Sequence, residues 1–440
     1  MTISEKHDPQ ADFSLVLGFE EARRVVETHA AGAAARGLET VELLESAGRV
    51  LAEPIVADRD FPPFPRATRD GYALRAADLA TLPAMLNVIG EVKAGEKWAK
   101  IPVGVEPGQA VAIMTGAPVP TGADAVAMVE HTRRRGERIE VVRAIAPGEN
   151  IVARGAEARL GGALLERGVR LNDAAVALAA SVGKARVKVF VKPRVAILST
   201  GDELVGLEDL PGPTEIRNSN TYSLAVQVKA AGGEPVLMAV APDERAGLLE
   251  LIEEGLQADL LMLTGGVSMG RYDLVEQVLS EIRAEFFFTG AKIQPGRPVV
   301  FGRVRCGAGA PSTSSGQAQA HELPSEAKFF FGLPGNPVST MVTFELFVRP
   351  MVEALAGMTP QKLQFLHAKL KTDIRVKTGL KRFLPAVLSG EFESSTVELV
   401  PWQGSGDMAA TARANCYIVV PPDRERIAAG EFVAVMMRPV

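Results

Sequence analysis

Three loops carry the residue types best suited to hold a phosphate-bearing ligand. Thr264-Gly265-Gly266-Val267-Ser268-Met269-Gly270 lies between an apolar run at 259–263 and an amphipathic segment at 273–282. Ser199-Thr200-Gly201-Asp202-Glu203 follows the apolar run 195–198, and Gly332-Leu333-Pro334-Gly335-Asn336-Pro337-Val338-Ser339 follows 329–331. Gly265, Gly266 and Gly270 let a backbone approach a ligand closely, and the helix start behind them offers N–H groups to an anion. A tight turn without a ligand wants the same glycines. Three strand ends, each delivering a small polar loop, are expected to meet at the carboxyl edge of an open α/β sheet, where ligands bind.

Acids surround these loops: Asp202, Glu203, Asp243 and Asp273, with Asp70 farther upstream. Several carboxylates beside a phosphate site suit a divalent cation. Mg²⁺ takes oxygen ligands, often one or two carboxylates plus substrate phosphate, and stabilises charge on a leaving phosphate. Asp243 and Asp273 equally suit helix first turns, where the dipole favours acids. Glu203 follows Gly201 in a strand-end loop, where capping does not call for Glu. Asp70-Gly71 is also a turn signal, and Thr115 can cap a turn as readily as contact a ligand. Lys292 and Arg297, in Lys292-Ile293-Gln294-Pro295-Gly296-Arg297-Pro298, offer cations to an oxyanion, or simply form a solvated loop.

The elements that position these loops are legible in the pattern. From Arg194 strands alternate with helices: strands at 195–198, 235–240, 260–263, 286–288, 299–304 and 328–331, helices at 219–231, 243–256, 273–282 and 338–356. That is a βα pattern with a largely parallel sheet. Upstream, a helix starts near Phe19 and a second helical piece is expected over 40–51. Short strands at 88–92, 110–114, 125–129 and 139–142 are punctuated by Gly and Pro, as in a small β module. Asn172-Asp173 caps an alanine-rich helix at 174–182. The β module therefore reads as an insertion in a helical domain built from two pieces of chain. A Ser/Gly/Ala/Gln-rich stretch at 306–327 suits a surface insertion. After Met358-Thr359-Pro360, strands at 368–376, 382–388, 395–400, 416–420 and 432–437 suit a small β-barrel. The divisions expected are 14–56 plus 147–190 (split helical, dimerising), 57–146 (inserted β module), 191–358 (α/β, ligand-binding) and 359–440 (C-terminal β-barrel).

Bulk properties exclude several classes. The chain has 440 residues, 47% hydrophobic and 23% charged, which suits a multidomain globular protein. A net charge of -5 and 5% aromatic content give no electrostatic footprint or stacking surface for nucleic acid. Cys306 and Cys416 are the two cysteines, and the five histidines show no metal-ligand spacing. No apolar run is long enough to span a bilayer and the N-terminus does not read as a signal peptide, so the expected location is the cytoplasm.

The loops occur together and in order with Asp70-Gly71-Tyr72-Ala73 and Met114-Thr115-Gly116-Ala117-Pro118-Val119-Pro120. In that joint pattern the chain resembles the molybdopterin molybdenumtransferases of the MoeA type, relatives of the gephyrin E domain, from about Leu17 onward. The resemblance implies a multidomain α/β plus β fold: a split helical domain, an inserted β domain, an α/β domain similar to molybdopterin adenylyltransferases and a C-terminal β-barrel. It implies a homodimer whose cleft combines the α/β domain of one subunit with the β module of the other. It also implies a Mg²⁺-assisted reaction that cleaves adenylylated molybdopterin, releases AMP and inserts molybdate. Carried over, Asp70, Thr115, Glu203, Asp243 and Asp273 are catalytic, the last three holding the metal. Thr200, Gly201, Gly265, Gly266, Ser268, Gly270, Pro334, Gly335, Asn336, Pro337 and Ser339 bind substrate. Lys292, Arg297, Arg382 and Ser405 hold molybdate. A molybdopterin adenylyltransferase and molybdoenzyme maturation factors are the partners implied. The chain departs from the family where Ala67-Thr68-Arg69 replaces the common Ser-Ala-Met, and where Gln294 and Arg297 replace lysines. Two alternatives stand beside this reading: an adenylyltransferase using ATP, and a non-enzymatic gephyrin-like scaffold.

Overall fold

A computed structural model describes residues 15–95, 104–266, 274–305, 327–391 and 395–438. The chain divides into two compact units, Met1–Thr40 with Gly48–Ala52 and Lys188–Val440, and Val41–Ala47 with Glu53–Val187.

In the first unit a short strand, Val16–Leu17, leads into helix α1, Phe19–Ala31, whose Phe19, Ala22, Val26 and Ala30 are buried. The expected helix over 40–51 does not form. Its place is taken by a strand, Leu38–Glu42, and a single 3-10 turn, Leu43–Ser46. Thr40 and Val41 are β-branched and favour the extended chain, overriding the helical spacing of Val41 and Leu44.

The second unit holds a six-stranded sheet of β1 (Gly71–Leu74), β2 (Ala84–Val92), β3 (Gln109–Ile113), β4 (Ala125–Met128), β5 (Thr132–Arg135) and β6 (Arg138–Val141). The order is β4-β1-β3-β2-β6-β5. Successive residues of β1 feed opposite cores: Tyr72 and Leu74 join one cluster, Ala73 the other. Helix α2, Asp173–Ser181, starts where the sequence predicts, with the Asn172 side chain accepting from the Ala175 N–H.

In the first unit, β7 (Arg194–Ser199), α3 (Asn220–Ala230), β8 (Glu234–Leu237), α4 (Arg245–Gly255), β9 (Leu260–Thr264), α5 (Leu274–Glu281), β10 (Ala284–Phe288), β11 (Val300–Val304) and β12 (Lys328–Leu333) build the α/β region. Sheet order is β8-β7-β9-β12-β11-β10. Its first four strands are parallel, β11 runs against them, and β10, antiparallel to β11, runs with them again. The chain leaves β7 for β8 on one side and returns to β9 on the other, so strand order reverses beside β7. Side chains of β7 alternate between the faces, Val195 and Ile197 to one core, Ala196 and Leu198 to the other. A strand buried on both faces reads as the unbroken apolar run seen in the sequence.

The single helix expected over 338–356 is α6 (Pro337–Thr343), a π-helical turn (Phe344–Val348) and α7 (Arg349–Leu355). Pro350 has no N–H to give the Leu346 carbonyl, which instead accepts from the Arg23 guanidinium at 2.5 Å. Beyond it lie β13 (Phe365–Leu370), β14 (Lys381–Ser389), β15 (Thr396–Leu399), α8 (Met408–Arg413), β16 (Cys416–Val420) and β17 (Phe432–Met437). Here β14-β15-β13-β17-β16 pair in turn and β16 returns to β14, a closed five-stranded barrel. Among the described residues no helix is long and apolar enough to cross a membrane.

Candidate functional site

Register brings the three motif loops together. Ser199 lies opposite Thr264, and Thr264 opposite Leu333, at the carboxyl ends of β7, β9 and β12. The ladder runs on into the loops. The Thr200 N–H donates to the Thr264 carbonyl at 3.0 Å, and the Gly201 N–H to Ala241 at 3.4 Å. Gly265 takes φ +91°, and a Cβ there would sit 2.4 Å from the Thr200 carbonyl oxygen. Glycine at 265 is therefore demanded by the fold itself. This is the topological switch of the sheet, the place where α/β folds bind ligands.

Under the loops lies a buried polar floor. The Asn220 carboxamide nitrogen, on the first turn of α3, donates to Thr264 Oγ1 at 3.0 Å and to the Gly335 carbonyl at 2.7 Å. Thr264 Oγ1 in turn donates to the Pro334 carbonyl at 3.3 Å. Thr340 Oγ1 reaches the Pro334 and Asn336 carbonyls from α6. Beside them Ser199, Asn218 and Thr221 form a second knot, with Ser199 Oγ 2.8 Å from Thr221 Oγ1. Two atoms of this floor, Thr200 Oγ1 and Asn220 Oδ1, are buried with no partner among the described residues. Each such atom costs about 1–3 kcal/mol of lost solvation.

The acids stand differently. Asp202 Oδ1 accepts from the Asp243 N–H at 3.0 Å, tying the two acidic loops together. Glu203 and Asp243 are exposed, and neither carboxylate has a partner among the described residues. Asp243 is not the helix cap: α4 starts at Arg245, and the Glu244 side chain accepts from Gly247. Two unpartnered carboxylates on adjoining loops are the oxygen donors Mg²⁺ takes. Among the described residues no group of three or more metal-ligating side chains is assembled. Asp273, Ser268 and Gly270 lie outside the described residues.

The basic side is carried by the loop at 292–297. Lys292 and Arg297 are exposed. A Cβ on Gly296 would lie 2.4 Å from Thr343 Cγ2, so this loop packs directly on α6. Gln294 pairs with Arg382 of β14, which is 7% exposed. The Arg382 guanidinium donates to the Lys377 carbonyl, its Nε is buried without a partner, and burial pushes its pKa down. Ser405 meets α6 through its backbone: its carbonyl accepts the Val338 N–H at 3.0 Å. With Pro337 lacking an N–H, the third loop presents fewer free donors than its sequence suggests. Pro334, Gly335 and Asn336 enter the floor mainly as acceptors, and Ser339 is buried in α6.

Asp70 and Thr115 lie in the second unit and meet each other. Asp70 Oδ1 accepts from the Thr115 N–H at 2.6 Å and from Thr115 Oγ1 at 2.8 Å. The backbone bond first, and the hydroxyl second, hold the Asp70 carboxyl below the usual range. Cys416 is buried and its thiol is pushed up to about 11 by burial, which leaves it inert as a ligand.

Sequence reasoning missed Asn218, Asn220, Thr221 and Thr340, and had Thr264 only as the first residue of the glycine loop. The run Asn218-Ser219-Asn220-Thr221 reads as an ordinary helix start, and its partners are remote in sequence.

Comparison with known proteins accounts for nearly all of the chain. Residues 17–183 match the MoeA N-terminal region (domain I and II), 196–354 a probable molybdopterin binding domain, and 367–437 the MoeA C-terminal region (domain IV). A molybdopterin molybdenumtransferase from Nostoc sp. is 34% identical, covering 91% of this chain and 89% of its own length. One from Staphylococcus aureus (strain COL) is 30% identical over 90% of each. Among solved structures, the molybdopterin biosynthesis MoeA protein from Pyrococcus horikoshii OT3 aligns with a TM-score of 0.72 at 30% identity, covering 96% of this chain and 100% of that one.

Proposed function

Because this chain belongs to the molybdopterin molybdenumtransferase family, we propose that it inserts molybdate into adenylylated molybdopterin and releases AMP in molybdenum cofactor biosynthesis. One observation carries the reading: a buried polar floor with two unsatisfied atoms stands at the sheet's switch point, beside two free carboxylates. The first feature suits a polar ligand that completes the hydrogen bonding, the second a cation that bridges that ligand to the protein.

In this reading Thr200, Gly201, Gly265 and Gly266 receive the phosphate-bearing part of the substrate, with Ser268 and Gly270. Pro334, Gly335, Asn336, Pro337 and Ser339 shape the opposite wall. Glu203, Asp243 and Asp273 would hold Mg²⁺, and the cation would supply charge stabilisation to the phosphate oxygens. Asp70 and Thr115, hydrogen-bonded to each other in the second unit, are the further catalytic pair of this reading. Lys292, Arg297, Arg382 and Ser405 hold the molybdate dianion, Arg382 with a guanidinium N–H still unspent. The dithiolene of the substrate supplies the sulfur ligands, which agrees with an inert Cys416. A homodimer in the cytoplasm, divided into the four regions drawn from the sequence, completes the reading.

The test is AMP release from adenylylated molybdopterin and Mg²⁺, with and without molybdate. Release that depends on molybdate and yields cofactor is expected. No release, with adenylylation of free molybdopterin by ATP instead, would overturn the assignment. Binding without either reaction would point to a scaffold.

A further inference from the structure

We infer that Asn220 is a positioning residue: its carboxamide sets the distance between the glycine turn after β9 and the loop after β12, and so the width of the ligand site. The inference rests on the reading that this floor receives adenylylated molybdopterin. Asn220 is in the first turn of α3, at a position usually left to solvated or capping side chains. Here Ser219 makes no side-chain cap, and Asn220 turns across the sheet end instead. One nitrogen, Nδ2, donates to both loops, to Thr264 Oγ1 and to the Gly335 carbonyl. Apart from Asn220, the two loops meet through the Thr264 Oγ1 bond to the Pro334 carbonyl at 3.3 Å and edge to edge at Gly335, where a Cβ would lie 3.5 Å from the Gly265 Cα. The Gly265 N–H reaches Leu333 at only 3.4 Å. Asn220 therefore supplies two of the shorter bonds that join them.

The amide orientation is settled by chemistry. Gly335 offers a carbonyl, which only accepts, so the nitrogen must face it. That leaves Oδ1 as a buried acceptor with no partner. Ala would remove both bonds and loosen the join between the loops, and Asp would set a carboxylate against a carbonyl. Protonating that Asp restores one O–H donor, and the repulsion from the carbonyl raises the pKa at which this happens.

The experiment compares the whole protein with Asn220→Ala and Asn220→Asp. Amide exchange is followed first, without ligand. Asn220→Ala should speed exchange about tenfold in 264–266 and 333–336, leaving the barrel strands and the melting temperature close to wild type. Affinity for adenylylated molybdopterin, measured without molybdate or Mg²⁺, should fall about tenfold, because binding must then order loops that Asn220 no longer holds. Asn220→Asp should match Asn220→Ala at pH 8 and regain affinity as pH falls towards 5. A purely structural role predicts no such acid limb. A folded Asn220→Ala with unchanged exchange and affinity overturns the inference. Wild-type protein that fails to bind the probe contradicts the substrate reading alone. The exchange comparison still decides whether Asn220 holds the loops.

Discussion

Two parts of the α/β region solve opposite problems with similar residues. The floor, made of Thr200, Asn220, Thr264 and Thr340, is largely buried and cross-tied, Asn220, Thr264 and Thr340 spending side-chain hydrogen bonds on the loops after β9 and β12 while Thr200 Oγ1 stays unpartnered. The acidic rim, made of Glu203 and Asp243, is exposed and unpartnered, fastened through Asp202 and the backbone alone. A buried hydrogen bond is rigid and hard to replace; a solvated carboxylate costs little to display and is free to take a cation. The floor therefore fixes geometry, while the rim supplies charge.

That division can be broken most sharply at the rim. Glu203→Gln and Asp243→Asn should each lower molybdate-dependent AMP release about a hundredfold, the loss of several kcal/mol of charge stabilisation. Neither should move the melting temperature, because neither carboxylate holds up the fold. A parallel loss of stability, read by calorimetry, would make these acids structural.

The floor should respond in the reverse sense. Gly265→Ala places a Cβ against the Thr200 carbonyl at a backbone angle that L side chains avoid. A loss of roughly 2 kcal/mol in denaturant unfolding is expected. A variant as stable as wild type would show that the turn relaxes easily and is not a rigid floor.

A smaller effect belongs to the basic loop. Arg297→Ala should raise the molybdate concentration for half-maximal rate about tenfold while leaving substrate affinity alone. An unchanged molybdate dependence would remove Arg297 from the site.

The smallest concerns the Asp70–Thr115 pair. Its folded pKa lies below the usual carboxylate value, so its contribution is present above the unfolded pKa and fades as pH falls through the folded one. The Thr115 amide resonance should therefore titrate below the ordinary Asp range. A midpoint at or above that range would mean the two hydrogen bonds are not held in solution.

Much of the fold was readable locally. Buried parallel strands appear as apolar runs, and Asn172 marks a helix start through a bond three residues away. The segment at 40–51 misled because β-branched residues within it outweigh its helical spacing. The break after Thr343 was hidden for another reason: Arg23, far upstream, takes the carbonyl that Pro350 cannot serve. The same distance effect hid the floor. Asn220 reaches Thr264 and Gly335, 44 and 115 residues on, and no local pattern reports such a partner. The candidate acids were visible because a carboxylate without a capping duty stands out. Asp243 shows the limit of that reasoning, since only the structure passes the capping role to Glu244.

The most direct test of this account is the Mg²⁺ dependence of AMP release in wild type and Glu203→Gln. If the rim holds the cation, the variant should need about tenfold more Mg²⁺ for its half-maximal rate, with substrate affinity in the absence of metal unchanged. An identical Mg²⁺ requirement in the two proteins would contradict it.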